Sequence, residues 1–280
     1  MRVGARAAAL VTALLSPWFP TAAQQAVRIP LPLEGNRTLM LPAQLYLPAK
    51  VPAPSVTIFH GCGGPGVNNA RMAQLLQSWG YVAVVVDSFS PRGLKDVCGR
   101  NWPTQRMAEE RSLDIGATSL WLSTQNFAKG SQTVVMGYSY GGGVALLSGM
   151  NNVVEHKAAS ARGYILLYPD CALADALGPR LRPRAPMLFA MGELDDWTPV
   201  SQCQAVIDRV VRDREEIETH IYPGAHHSFD ALGLPVRYLA GVGNRSKPGG
   251  CCGAHYGAHE PAWKAFVEDV KEFLARRLPP

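Results

Sequence analysis

The chain has 280 residues, 47% hydrophobic and 18% charged, so it can bury a full-sized core and falls outside the disordered, collagen-like and coiled-coil compositions. Its formal charge of +5 is small and its basic residues are scattered, which argues against nucleic acid as a partner. No apolar run approaches the roughly 20 residues needed to span a bilayer.

Met1-Arg2-Val3-Gly4-Ala5-Arg6 precede an apolar run over residues 7–15, then Pro17, Pro20 and Thr21-Ala22-Ala23. That is the pattern of a secretory signal peptide, so residues 1–23 are expected to be removed and residues 24–280 to form a single exported domain, periplasmic or secreted. No cysteine near the cleavage site offers a lipid acceptor, so no membrane anchor is expected.

Beyond the leader, short apolar runs alternate with helix-length segments. This order predicts an α/β fold, a mostly parallel central sheet flanked by helices in a three-layer sandwich. Residues 27–31 and 39–47, joined through Glu34-Gly35-Asn36, read as an opening antiparallel hairpin. Residues 55–59 read as a buried strand ending at the turn His60-Gly61-Cys62-Gly63-Gly64-Pro65. A helix over about 69–79 stops at Gly80, and the uniformly apolar run 81–86 reads as a central strand. The loop 87–93 follows, punctuated by Pro91 and Gly93. A helix over 104–123 is predicted to put Leu113, Ala117, Leu120 and Trp121 on one face, with the next strand at 133–136. Runs 163–168, 186–191 and 216–222 continue the strand series, with a helix around 201–212. Residues 231–258, rich in glycine and without a period, read as a long loop near the site. Trp263, Phe266, Val267, Val270, Phe273 and Leu274 then repeat at helical spacing, which predicts an amphipathic closing helix.

Gly137-Tyr138-Ser139-Tyr140-Gly141 fits G-x-S-x-G, and it stands between a strand and the small-residue helix start Gly141-Gly142-Gly143. A sharp strand-to-helix turn exposes the serine oxygen, which makes Ser139 a candidate nucleophile. A serine hydroxyl needs a base, and the base needs a carboxylate to hold one tautomer. The loop after strand 186–191 carries Glu193, Asp195 and Asp196, and the loop after strand 216–222 carries His226 and His227. Spacing leaves Asp195 or Asp196 as the acid and His226 or His227 as the base, with Glu193 and Asp170 as secondary acids. His60, His156 and His220 read as structural or exposed. The backbone N–H groups of Tyr140 and Cys62 are the candidate oxyanion donors. The Gly-rich turn lacks a phosphate-loop lysine, so no nucleotide is expected.

These residues resemble a known family. Gly137-Tyr138-Ser139-Tyr140-Gly141-Gly142, Gly192-Glu193-Leu194-Asp195 with Pro199, and Tyr222-Pro223-Gly224-Ala225-His226-His227-Ser228-Phe229 are similar to the three catalytic signatures of the dienelactone hydrolase family. His60-Gly61-Cys62-Gly63-Gly64 and Asp87-Ser88-Phe89-Ser90-Pro91-Arg92-Gly93 resemble segments of its exported members. The resemblance spans about residues 55–274. It implies an α/β-hydrolase fold, Asp195 as acid, His227 as base, no metal or organic cofactor, and a small-molecule ester or lactone as substrate. The dienelactone-cleaving members carry cysteine at the position of Ser139 and a glutamate near the early turn. The departure here implies carboxylic esters in general rather than dienelactone itself.

Two alternatives stand beside this reading, the first of the same mechanistic kind and the second from a different class. A prolyl-oligopeptidase-like serine peptidase shares the fold and the residue order, but this chain lacks a propeller-sized N-terminal domain. A non-catalytic metal-binding protein is suggested by Cys251, Cys252, His255 and His259 within nine residues, although adjacent cysteines depart from the usual zinc spacing. Export and the coarse fold predict two disulfides. Cys62–Cys98 would tie the oxyanion turn to the loop after the neighbouring strand, and Cys171–Cys203 would pin the segment carrying Asp195. Cys251 and Cys252 remain as a vicinal bond or as free thiols.

Overall fold

The opening hairpin forms as predicted, with β1 (Gln24–Leu33) antiparallel to β2 (Arg37–Tyr46) and the turn passing through Gly35 and Asn36 at positive φ. The structure, a computed structural model, describes residues 24–99, 105–150 and 161–279; the expected signal peptide and His156 lie outside the described residues. The remaining sheet strands are β3 (Ala53–Phe59), β4 (Val82–Val86), β5 (Ala128–Tyr138), β6 (Gly163–Leu167), β7 (Met187–Gly192) and β8 (Ile217–Tyr222). Together with the hairpin they form an eight-stranded sheet in the order β1-β2-β4-β3-β5-β6-β7-β8. β2 is antiparallel to β4, and β4 through β8 run parallel.

The helices are α1 (Val67–Ser78), α2 (Gln105–Ser123), α3 (Tyr140–Gly149), α4 (Val200–Asp208) and α5 (Glu260–Arg277). Strand alternation sorts them into two layers. Val82, Val84 and Val86 of β4 join the core under α2, α3 and α4, while Ala83 and Val85 join the core under α1 and α5. Both faces of β4 are therefore covered, which is why its sequence has no polar position. α5 buries Trp263, Phe266, Val270, Phe273 and Leu274, the stripe its periodicity predicts. Each of its fully buried large side chains contributes about 1.5–3 kcal/mol.

Three expectations need correction. α2 does not present Leu113, Ala117, Leu120 and Trp121 as one buried face: Leu120 is 55% exposed, and the buried side carries Ala108, Arg111, Asp114, Ile115, Thr118 and Leu122. Ala117 is buried and Leu113 and Trp121 pack partly buried against the core, but the apolar pattern misses the charged residues Arg111 and Asp114 that share the buried side. α4 ends at Asp208 rather than near 212, because Leu181 N–H donates to Arg209 O and Val211 N–H donates back to Leu181 O, drawing the chain out of the helix. Residues 231–258 are not wholly irregular. β9 (Arg237–Leu239) and β10 (Ala254–Tyr256) pair antiparallel within them. Among the described residues no helix is long and apolar enough to cross a membrane.

The strand order reverses direction at β3. From β3 the chain steps to β4 on one side and later to β5 on the other, so the loops after β3 and β5 part at the carboxyl edge of the sheet. Open parallel sheets place their sites at such an edge.

Candidate active site

β5 and β3 are neighbours with Phe59 opposite Gly137, so the turn beginning at His60 lies beside Ser139. Ser139 caps α3 with φ 52° and ψ −117°, a conformation L-residues adopt at a cost of order 1–3 kcal/mol. The glycines around it are required by space. A Cβ at Gly137 would stand 2.3 Å from Gly141 O, and a Cβ at Gly141 would stand 2.4 Å from His60 O. The turn thus throws the serine side chain off the sheet edge.

His227, in the loop after β8, has Nε2 2.9 Å from Ser139 Oγ and Nδ1 2.8 Å from Asp195 Oδ2. Asp195, after β7, accepts Trp197 N–H and Thr198 N–H on Oδ1 at 2.9 and 2.8 Å. Thr198 Oγ1 lies 2.9 Å from Asp195 Oδ2 and 3.1 Å from His227 Nδ1. With its oxygens so occupied, the carboxylate accepts the hydrogen bond from His227 Nδ1–H, which keeps the ring proton on Nδ1 and leaves the Nε2 lone pair facing Ser139. The imidazole is held on both sides, with ring centres 4.6 Å from Tyr168 and 4.8 Å from Trp197. Ser139, Asp195 and His227 are all buried to within a few per cent of their surface.

The competing candidates have other partners. Asp196 accepts His255 N–H at 2.7 Å and lies 2.9 Å from His255 Nδ1. Burial pushes the Asp196 carboxyl up, and the hydrogen bonds from His255 outweigh it and hold the pKa below its usual value. His226 stacks near His255 at 5.5 Å and makes no hydrogen bond to Ser139 or Asp195. Glu193 accepts Gly224 N–H at 2.8 Å, bracing the base loop from the acid loop. Asp170 is buried 4.0 Å from Arg245, with its N–H on Ser139 O. His220 is half-exposed and pairs with Asp269, and His60 is buried in the turn after β3.

Cys62 and Tyr140, the candidate oxyanion donors, lie beside Ser139, Cys62 in the turn after β3 and Tyr140 at the first position of α3. The Cys62–Cys98 and Cys171–Cys203 disulfides are both present, each with Cα atoms 5.0 Å apart, and Cys251 is bonded to Cys252. His259 caps α5 by accepting Ala262 N–H, and among the described residues no group of three or more metal-ligating side chains occurs. A cleft of about 500 Å³ opens on Ser139, with Val67, Tyr138, Tyr168, Trp197, Leu234 and Leu239 in its wall.

Residues missing from the sequence reading also shape the site. Thr198 ties Asp195 to His227, and the sequence signal for it is Asp195-x-x-Thr198, the spacing of a turn closed by an aspartate side chain. Asp230 is buried beneath the site and accepts the Tyr168 hydroxyl at 2.7 Å. The segment carrying β9 and β10 straps the loops together. Gly243 N–H donates to Cys98 O, Trp197 Nε1 donates to Gly243 O, Asn244 Nδ2 donates to Asp196 O, and Gly257 N–H donates to His227 O.

Residues 41–274 match the dienelactone hydrolase family. No curated protein matches the chain. Among solved structures, a dienelactone hydrolase from Anabaena variabilis superposes with a TM-score of 0.61 at 17% identity, covering 91% of this chain and 99% of that one. Esterase 2 of Thermogutta terrifontis, with butyrate bound, gives 0.62 at 18% identity over 93% and 96% of the two chains. The same esterase phosphorylated by paraoxon gives 0.62 at 18% over 91% and 96%. At such identities the likeness speaks for the fold.

Proposed function

The chain belongs to the dienelactone hydrolase family, and from that premise we propose that it is a serine hydrolase cleaving carboxylic esters, lactones included, through an acyl-enzyme on Ser139. His227 is the general base and Asp195 the acid that orients it. The observation that carries this reading is the unbroken series from Ser139 Oγ through the His227 ring to Asp195, at 2.9 and 2.8 Å.

As His227 Nε2 takes the hydroxyl proton, Ser139 Oγ bonds to the ester carbonyl carbon, and the carbonyl oxygen becomes an oxyanion. The N–H groups of Cys62 and Tyr140 receive that charge. Collapse breaks the bond to the alcohol oxygen, which leaves with the proton from His227. A water then repeats the sequence, giving its proton to His227 and its oxygen to the acyl carbon, and Ser139 is regenerated. The butyrate-bound and paraoxon-phosphorylated esterase neighbours support a small-molecule ester as substrate. The two long-range disulfides and the leader pattern of residues 1–23 support export, with residues 24–280 as one catalytic domain.

The test is Ser139→Ala together with a fluorophosphonate probe. The wild type is expected to be labelled and to turn over p-nitrophenyl esters. The variant is expected to lose labelling and at least ~10³-fold in kcat. A variant retaining activity within about tenfold of wild type would refute the assignment.

A further inference from the structure

We propose that Arg111 and His60 are positioning residues of the oxyanion hole, aiming the Cys62 N–H and steadying Tyr140 so that both donors meet the developing charge. The inference rests on the ester-hydrolase reading of Ser139 given above.

Arg111 lies on the sheet-facing side of α2 and is 1% exposed. A buried guanidinium is costly unless its surroundings compensate. Compensation by an ion pair is not what this arginine has: the neighbouring Asp114 is held by Arg92, whose Nη1 and Nη2 donate to its two oxygens at 3.0 and 2.7 Å. Arg111 instead donates from Nη2 to the backbone oxygen of His60 at 2.9 Å. Its guanidinium carbon sits 5.0 Å from the centre of the Phe89 ring and 4.7 Å from that of Tyr140, over aromatic faces that attract a cation. One cation therefore holds the His60–Gly61 peptide, one step before the peptide that carries the Cys62 N–H, and packs on the side chain of Tyr140.

His60 carries the constraint one peptide further. Ser88 N–H donates to His60 Nε2 at 3.2 Å, and His60 Nδ1 lies 2.8 Å from Gly61 O. A backbone N–H can only donate, so Nε2 is the acceptor and the ring proton resides on Nδ1, which donates to Gly61 O. Burial, and then the Arg111 charge, lower the His60 pKa to about 3, so the ring keeps this neutral form at ordinary pH. The Gly61–Cys62 peptide is planar and trans, so pinning its oxygen fixes the direction of the Cys62 N–H on its opposite edge. On the far side, Cys62 O accepts Val97 N–H at 2.9 Å and the Cys62 side chain is bonded to Cys98. The turn lies directly against the nucleophile, since a Cβ on Gly61 would stand 3.4 Å from Ser139 Cβ.

Oxyanion contacts strengthen in the transition state and barely exist in the ground state, so their misalignment lowers kcat and spares KM. The experiment measures kcat and KM on p-nitrophenyl butyrate, per site titrated with fluorophosphonate, for Arg111→Met, Arg111→Lys, His60→Ala and His60→Asn of the full chain. Losing one oxyanion donor costs ~10²–10³ in kcat, so misaiming it is expected to cost roughly 10–100-fold, with KM within about threefold. His60→Asn, whose amide N–H reaches the place of the Nδ1 proton, is expected to recover most of what His60→Ala loses, and Arg111→Lys part of what Arg111→Met loses. A role in folding alone would lower Tm and leave kcat per titrated site unchanged. If folded Arg111→Met or His60→Ala keeps kcat within twofold of wild type, or asparagine at 60 does no better than alanine, the inference is overturned. Failure of the underlying reading looks different: wild type escapes the probe, or Ser139→Ala still turns over ester.

Discussion

Replacing Asp230 with asparagine is expected to stabilise the protein at pH 8 and to change little at pH 4. Asp230 is fully buried; Oδ1 accepts the Tyr168 hydroxyl, and among the described residues Oδ2 has no hydrogen-bond partner. Burial raises its pKa from 3.8 to about 6, against the opposing pull of the Tyr168 hydrogen bond and of Arg71. A carboxyl with a folded pKa above its unfolded value binds its proton more tightly when folded. Its contribution is therefore full below about pH 4, declines as pH climbs to about 6, and stays lost above that. A gap of roughly two units at 1.36 kcal/mol each amounts to about 3 kcal/mol. Asparagine keeps an oxygen for Tyr168 and cannot ionise, so it stands in for the protonated acid at every pH. Urea denaturation followed by tryptophan fluorescence at pH 4, 6 and 8 would measure this. The variant should gain up to about 3 kcal/mol on wild type at pH 8 and match it at pH 4. An equal loss of stability at all three pH values would refute the reasoning, because it would mean that the folded state holds the charged form without penalty.

Two further outcomes follow from the site and its braces. Asp195→Asn and His227→Ala should each cut kcat by at least ~10³-fold, whereas Asp196→Asn and His226→Ala, which change side chains paired outside the series, should stay within about tenfold; steady-state kinetics on a p-nitrophenyl ester decides, and the reverse order in either pair would move the role by one residue. Removing the Cys171–Cys203 bridge by Cys171→Ala with Cys203→Ala opens a loop with a sequence separation of 32 residues, and should cost about 3–4 kcal/mol in urea denaturation at neutral pH. A loss below about 1 kcal/mol would show that the bridge adds little to the sheet that frames it.

Much of this architecture could be read before any coordinates, and the reason is local. β3, β4, β6 and β7 are short runs buried along their whole length, so composition alone betrays them, and each is followed by a loop whose glycine or proline content marks its end. The G-x-S-x-G turn carries its own steric requirement in Gly137 and Gly141. The pairings Cys62–Cys98 and Cys171–Cys203 follow from knowing which loops share the carboxyl edge. Other parts depend on contacts between distant residues and leave no local trace. Asp195 and Asp196 differ in what crosses from elsewhere: His227, 32 residues on, engages the first, and His255, 59 residues on, engages the second. The apolar pattern of α2 misses part of its buried face because Arg111 and Asp114 are charged residues in core positions, with His60 O and Arg92 as their partners on other elements. β9 and β10 are three residues each, too short for a period to show.

The strap across the site has a consequence for when the protein can act. Ser139 and His227 are 88 residues apart, and the strap's hydrogen bonds reach from Gly243 back to Cys98 and from Gly257 to His227. Contacts of such separation must overcome the closure entropy of long loops. A nascent chain that has emerged only as far as β7 contains Ser139 but neither His227 nor the segment whose hydrogen bonds bind the loops together. On the proposed mechanism, a chain terminated before β8 would carry an inert serine, because the residue proposed as its base comes 88 positions later.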